Sequence, residues 1–351
     1  MNLDDLTRLL SDAAFRPSTD FPDFPVDHVD FDQLVGHHDA ETRLVAELTQ
    51  AGDRGRVAVM GPSGAGKSSL IASGVARLPA GAHTALVVRA GNAGDALQDP
   101  GAFARFVLEE ISHQVDAVLR APPAKAITKG LTRRRTRESG GHTLNASLGV
   151  PHIPIGVAGQ LRSTVTTEEV TVGSPTVIHQ LGRVVEIIAT NGLRPVIILD
   201  DTDKWAGSND GTVDETAAQA FFHHGVRLLS DLDCDLVVAV HDRFAELQSY
   251  QDVAKRFTET IHIPRFDDPR GPLQEIIGRR IANAGVEGTV DELLTTEALT
   301  LLEAAYAERP QDLRFVLRIL HESVSITVDN GLSQVERSVT YQAAEQIRGD
   351  R

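Results

Sequence analysis

Residues Gly61-Pro62-Ser63-Gly64-Ala65-Gly66-Lys67-Ser68 carry the G-x-x-x-x-G-K-[ST] spacing of a phosphate-binding loop. The glycines let successive backbone N–H groups turn inward around β- and γ-phosphates. Lys67 adds a point charge, and Ser68 offers a hydroxyl to Mg²⁺. This chemistry needs a strand before the loop and a helix after it. Val57-Ala58-Val59-Met60 is a short apolar run, and Ser69-Leu70-Ile71-Ala72-Ser73 continues as a helix whose positive N-terminal end faces the same anion. A Gly-rich turn without chemistry rarely has both flanks, so Gly61 through Ser69 imply a nucleoside-triphosphate site.

A second segment, Val196-Ile197-Ile198-Leu199-Asp200-Asp201, delivers two acids at the C-terminal end of a hydrophobic strand, where ligands of open α/β sheets bind. Asp200 reads as a Mg²⁺ ligand acting with Ser68, because the metal takes oxygen ligands and keeps part of its hydration shell. Asp201 takes the place of a general base for the attacking water. The alternative is a pair of acids capping the turn into Thr202-Asp203-Lys204-Trp205; the phosphate loop upstream favours the functional reading.

These residues must be held by a sheet, and the chain is built to supply one. It has 351 residues, 41% of them hydrophobic, enough for a large domain and a small one. Buried strands are expected at Thr84–Val88, Val196–Leu199, Leu236–Val240 and Thr260–Ile263, alternating with helices. That rhythm predicts a mostly parallel sheet covered on both faces. Asp99-Pro100 and Ser174-Pro175 open two of the helices. Residues 1–28 read as an N-terminal arm with Leu3, Leu6, Leu9 and Leu10 at amphipathic spacing. Residues 29–268 form the expected core, with 121–173 as an inserted β-hairpin, and 269–351 turn wholly helical.

Composition excludes several classes. The single Cys234 leaves no disulfide framework and no cysteine metal site, and suits a reducing cytoplasm. Asp4 and Asp5 at the start argue against a signal peptide, and no run approaches the roughly 20 apolar residues of a membrane span. A soluble, cytoplasmic protein is expected. The net charge of −15 disfavours non-specific attraction to nucleic acid. Lys125, Lys129, Arg133, Arg134, Arg135 and Arg137 depart from that balance. Such runs are more often solvated loops; the alternative is contact with nucleic-acid phosphates.

Lys67 and Asp200 are separated by a complete strand, a layout that disfavours nucleotide kinases. Over residues 29–351 the pattern resembles AAA+ ATPases, nearest the replication-initiator clade and the signalling ATPases called STAND. Leu34-Val35-Gly36-His37 is similar to the segment that touches adenine in that clade, with histidine in place of arginine, which makes Val35 and Gly36 nucleotide contacts. The resemblance makes His241 a polar sensor, Arg256 an arginine finger acting on a neighbouring subunit, and Arg314 the second sensor of the lid. The lid motif G-D-x-R is here Gln311-Asp312-Leu313-Arg314, and Asp201 stands where the family more often has glutamate, which implies slow hydrolysis. On position alone each arginine could equally be a solvated surface residue. The resemblance implies a five-stranded parallel α/β P-loop core with a four-helix lid, ATP and Mg²⁺ as ligands, and a homo-oligomer that hydrolyses ATP between subunits to remodel or load a protein or nucleic-acid partner. Its alternative is a slow-turnover ATP switch in a mobile-element or defence system.

Overall fold

The computed structural model describes residues 1–16, 40–50, 52, 54–118, 174–206 and 214–349. The expected hairpin at 121–173, the basic run from Lys125 to Arg137, and Val35, Gly36 and His37 lie outside the described residues.

Five short runs rich in Val, Ile and Leu form strands β1 (Arg56–Met60), β2 (His83–Arg89), β3 (Arg194–Asp200), β4 (Asp235–Val240) and β5 (Glu259–His262). They make one sheet in the order β2-β3-β4-β1-β5, with every pairing parallel. Because strand side chains alternate between faces, each run feeds two cores. Val57, Val59, Val196, Ile198, Val237 and Ala239 enter one. Ala58, Met60, Ile197, Leu199, Leu236, Val238 and Val240 enter the other. Burial on both sides explains why the runs are continuously apolar.

The helices are α1 (Leu3–Ser11), α2 (Ala40–Thr49), α3 (Lys67–Ala76), α4 (Pro100–Val118), α5 (Ser174–Thr190), α6 (Glu215–Ala220), α7 (Arg227–Ser230), α8 (Gln248–Ala254), α9 (Arg270–Asn283), α10 (Val290–Leu293), α11 (Thr296–Glu308), α12 (Leu313–Asp329) and α13 (Arg337–Gly349). Asp99 caps α4 as its sequence suggests, accepting from the Ala102 N–H at 2.7 Å, and Phe103, Val107, Ile111 and Val115 form its buried stripe. The helical region holds the four longer helices α9, α11, α12 and α13, with the single turn α10 held by a Thr289/Glu292 capping box.

Two features go beyond the sequence expectation. Over its first turns the N-terminal segment is packed: Leu6, Leu9 and Phe15 are fully buried in the same apolar cluster as α9 and α12, and Arg280 donates to the Ala14 carbonyl at 2.7 Å. Its leucine spacing announced an apolar face, and the partner is supplied by residues far along the chain. Between β3 and β4, a stretch with no expected element forms α6, a π-helical turn (Phe221–Val226) and α7. The wider turn buries both Phe221 and Phe222 and sets the His223 and His224 rings edge-to-face at 4.8 Å, although neighbours on a regular helix diverge.

Candidate functional site

In a parallel sheet all C-terminal strand ends share one edge. The order β3-β4-β1 therefore sets the acids after β3 and the loop after β1 about 10 Å apart, with β4 between them. The loop from Gly61 to Ser68 turns directly into α3. Gly64 and Gly66 take φ of +79° and +99°, the left-handed region that glycine enters without penalty. Pro62 and Ser63 lead into that turn, Ala65 is buried beneath it, and α3 opens at Gly66 without a side-chain cap. Its first-turn N–H groups, those of Lys67, Ser68 and Ser69, are the donors an anion satisfies.

The Lys67 ammonium is almost wholly buried and donates to the carbonyls of Gly61 and Pro62, both at 2.8 Å. It also pairs with Asp203, Nζ to Oδ1 at 2.9 Å. The Ser68 hydroxyl donates to the two Asp200 oxygens at 3.0 and 2.9 Å. Burial pushes the Asp200 carboxyl above its ordinary range, against the lowering effect of its hydrogen bonds from the Asp201 backbone and Ser68. A buried carboxylate beside one hydroxyl is the donor set that suits Mg²⁺, which takes few protein oxygens and completes its shell with water and phosphate. Among the described residues no group of three or more His, Cys, Asp or Glu could hold a metal ion unaided.

Asp201 is placed differently. Its φ is +67°, and its carboxylate pairs with Lys204 at 2.6 Å rather than with the Lys67–Ser68–Asp200 group. Lys204 also donates to Asn92 at 2.6 Å, and Gly91 lies so close that a Cβ there would come within 2.3 Å of the Asp201 carbonyl. Asp203 is the residue sequence reasoning missed. It was read only as part of a turn, and the third acid of Asp200-Asp201-Thr202-Asp203 was the available signal.

His241 directly follows β4, the strand between the two halves of the site, and caps the 3₁₀ turn Asp242–Glu246. Its Nδ1 accepts from the Arg243 N–H at 3.2 Å, so the proton of the neutral ring sits on Nε2. Burial holds its pKa below the ordinary imidazole value, with Asp203 and Lys67 acting on it in opposite directions. From the helical region, Asp312 caps α12, accepting from the Phe315 N–H at 2.9 Å. A Cβ at Gly64 would lie 2.3 Å from Asp312 Oδ1 and 3.0 Å from Arg314 Cβ, so the start of α12 rests directly on the phosphate loop. Gln311, where the resemblance expects glycine, keeps φ at +69° and anchors its side chain to the Ile263 carbonyl at 2.7 Å. Arg256 is not brought to this group. It precedes β5, on the opposite edge of the sheet, and pairs with Asp231 at 2.5 Å and Ser230 at 3.1 Å.

A sequence profile described as Novel STAND NTPase 1 matches residues 30–349. The chain belongs to this family. The STAND NTPase is also similar in structure to the Orc1 protein of Aeropyrum pernix, solved in complex with DNA: 15% identity, 97% of this chain and 69% of that chain covered, TM-score 0.55. The Orc2 protein of the same organism, solved as ADPNP–ADP complexes, gives 13% identity, 92% and 70% coverage, and a TM-score of 0.51. No curated protein matches the chain. At these identities the likeness to Orc proteins shows a shared fold. The family match bears out the reading of a STAND NTPase, and the shared fold bears out the five-stranded parallel α/β architecture. No helix among the described residues is long and apolar enough to cross a membrane.

Proposed function

We propose that this STAND NTPase binds ATP with Mg²⁺ on the loop from Gly61 to Ser69 and hydrolyses it, using conformational change between core and helical lid to act on a partner. The observation that carries the reading is the convergence of Lys67, Ser68 and Asp200 at one sheet edge, with Ser68 hydrogen-bonded to a carboxylate whose burial disfavours its charge. Bound Mg²⁺ would offset that charge and neutralise phosphate oxygens during transfer. Lys67 orients the β- and γ-phosphates, Ser68 and Asp200 hold the metal, and Asp201 polarises the attacking water once it leaves Lys204. His241 donates from Nε2 toward the γ-phosphate, and Arg314, on the element resting against Gly64, reports phosphate occupancy to the lid.

Arg256 sits on the far edge of its own sheet, so it serves only a neighbouring subunit's nucleotide, within a homo-oligomer. Residues 269–351 act as the lid, 29–268 as the core, and 1–28 as an arm whose first helix moves with the lid. The A. pernix Orc1 structure contains DNA, which supports nucleic acid as one class of partner, contacted through Lys125–Arg137; a protein partner is the other. A slow-turnover switch is favoured over a motor by one specific observation: Asp201, the base in this reading, is engaged by Lys204. The test is calorimetric ATP binding and single-turnover hydrolysis by the parent, Asp200→Ala and Asp201→Asn. Asp200→Ala should lose the Mg²⁺-dependent part of affinity, and Asp201→Asn should keep ATP and slow its cleavage. Cleavage at the parent rate by Asp201→Asn assigns the base elsewhere.

A further inference from the structure

An ammonium group has three donors, and those of Lys67 are all engaged, by the Gly61 carbonyl, the Pro62 carbonyl and the Asp203 carboxylate. With its side chain 5% exposed, little water competes for them. The two carbonyls belong to the same loop as the lysine, whereas Asp203 comes from a different strand end and is fixed independently. It sits in the 3₁₀ turn Thr202–Ala206, where the Thr202 hydroxyl donates to the Ala239 carbonyl at 2.7 Å and Trp205 and Ala206 are buried. The backbone that carries Asp203 is therefore fixed independently of the lysine, and its carboxylate reaches Lys67 from that fixed turn.

A triphosphate needs the same ammonium. We propose that Asp203 is an internal anion that occupies Lys67 in the nucleotide-free protein and must be displaced for phosphate to bind, which makes it a positioning residue that lowers nucleotide affinity. This rests on the reading of the loop as a nucleotide site. The function follows from competition: each binding event exchanges one charge-assisted contact for another, so affinity is set below what the loop alone provides. Asp203 is here assigned the competition for the lysine, apart from the roles proposed for Asp200 and Asp201.

The test is ATP binding by calorimetry, with Mg²⁺ and again with the metal chelated, for the parent and Asp203→Asn, together with steady-state hydrolysis. Asp203→Ser serves as a second variant, and thermal unfolding verifies that both fold. Removing the competing charge should tighten ATP binding about tenfold, the order expected when one hydrogen bond to a charged group no longer has to be broken. The gain should appear in both metal conditions, since the competition is for the lysine. KM should fall while kcat stays within about twofold. In a Lys67→Ala background the same substitution should bring no gain. Affinity equal to or weaker than the parent's, a loss confined to the Mg²⁺ condition, or a collapse of kcat overturns the proposal. A parent that binds no ATP overturns the nucleotide reading itself, so the two failures are distinct.

Discussion

Gly64 is where the helical region meets the loop from Gly61 to Ser68, and Gly64→Ala tests that contact. Two costs are visible. The φ of +79° is left-handed, where an alanine costs about 1–2 kcal/mol relative to its ordinary conformations. The new methyl would also lie 2.3 Å from Asp312 Oδ1 and 3.2 Å from its Cγ, an overlap of about 1 Å relieved by turning the carboxylate out of its cap or by moving the α12 start, at about 1–3 kcal/mol. The variant should lose about 2–5 kcal/mol of stability in total. Only the second part involves the helical region, and Asp312→Ser relieves its closest contact, leaving Arg314 Cβ at 3.0 Å: serine preserves the helix cap while drawing the oxygen back. Alone, Asp312→Ser should cost under about 0.5 kcal/mol; in the Gly64→Ala background it should restore about 1 kcal/mol or more. Urea unfolding of the four proteins, with ATP binding measured on each, gives the coupling. Effects that add to within about 0.5 kcal/mol would refute the claim that the lid rests on the loop.

Other consequences follow from burial and backbone geometry. Because burial raises the Asp200 pKa, its folded-state contribution is favourable at low pH and is lost as pH rises through the folded value. Wherever the carboxylate is ionised its burial opposes folding, so Asp200→Asn should raise the nucleotide-free Tm while abolishing the Mg²⁺-dependent gain in ATP affinity; a lower Tm counts against it. His241 is the opposite case: its folded pKa lies below the ordinary 6.5, so the unfolded chain takes up a proton first and stability falls as pH drops below about 6.5. His241→Asn should flatten the loss between pH 7.5 and 5.5, measured by urea midpoints, with His224 and His321, also lowered by burial, accounting for part of the remaining slope; an unchanged pH profile contradicts the assignment. At Gln311, glycine relieves the left-handed strain but loses the bond to Ile263, whereas alanine keeps the strain and loses the bond. Gln311→Ala should therefore be about 1 kcal/mol less stable than Gln311→Gly, and equal unfolding midpoints would remove the argument.

What was legible in the sequence was what depends on short-range pattern. The sheet could be read because strands buried on both faces leave continuous apolar runs, and the phosphate loop because its chemistry needs fixed residue types at fixed spacing. The π turn at Phe221–Val226 was invisible to a search at 3.6-residue periodicity. Docking of Leu6, Leu9 and Phe15 on the helical region depends on partners that no local pattern names. Asp203 was overlooked because motif reading stopped at Asp200 and Asp201; only the fold brings a residue two positions further on to Lys67. The lid motif shows the reverse: glutamine replaced glycine, yet the left-handed backbone that glycine signals is kept.

The central claim is that the site built on Lys67, Ser68 and Asp200 binds a nucleoside triphosphate. Its most direct test is calorimetric titration of ATP into the Mg²⁺-containing protein and into Lys67→Ala, with thermal unfolding to show that both are folded. The account predicts stoichiometric binding by the parent, and a loss of at least about tenfold in affinity in a variant that remains folded, since the lysine's charge-assisted contact to phosphate is removed. A folded parent that binds no ATP, or a Lys67→Ala variant that binds as tightly as the parent, would contradict it.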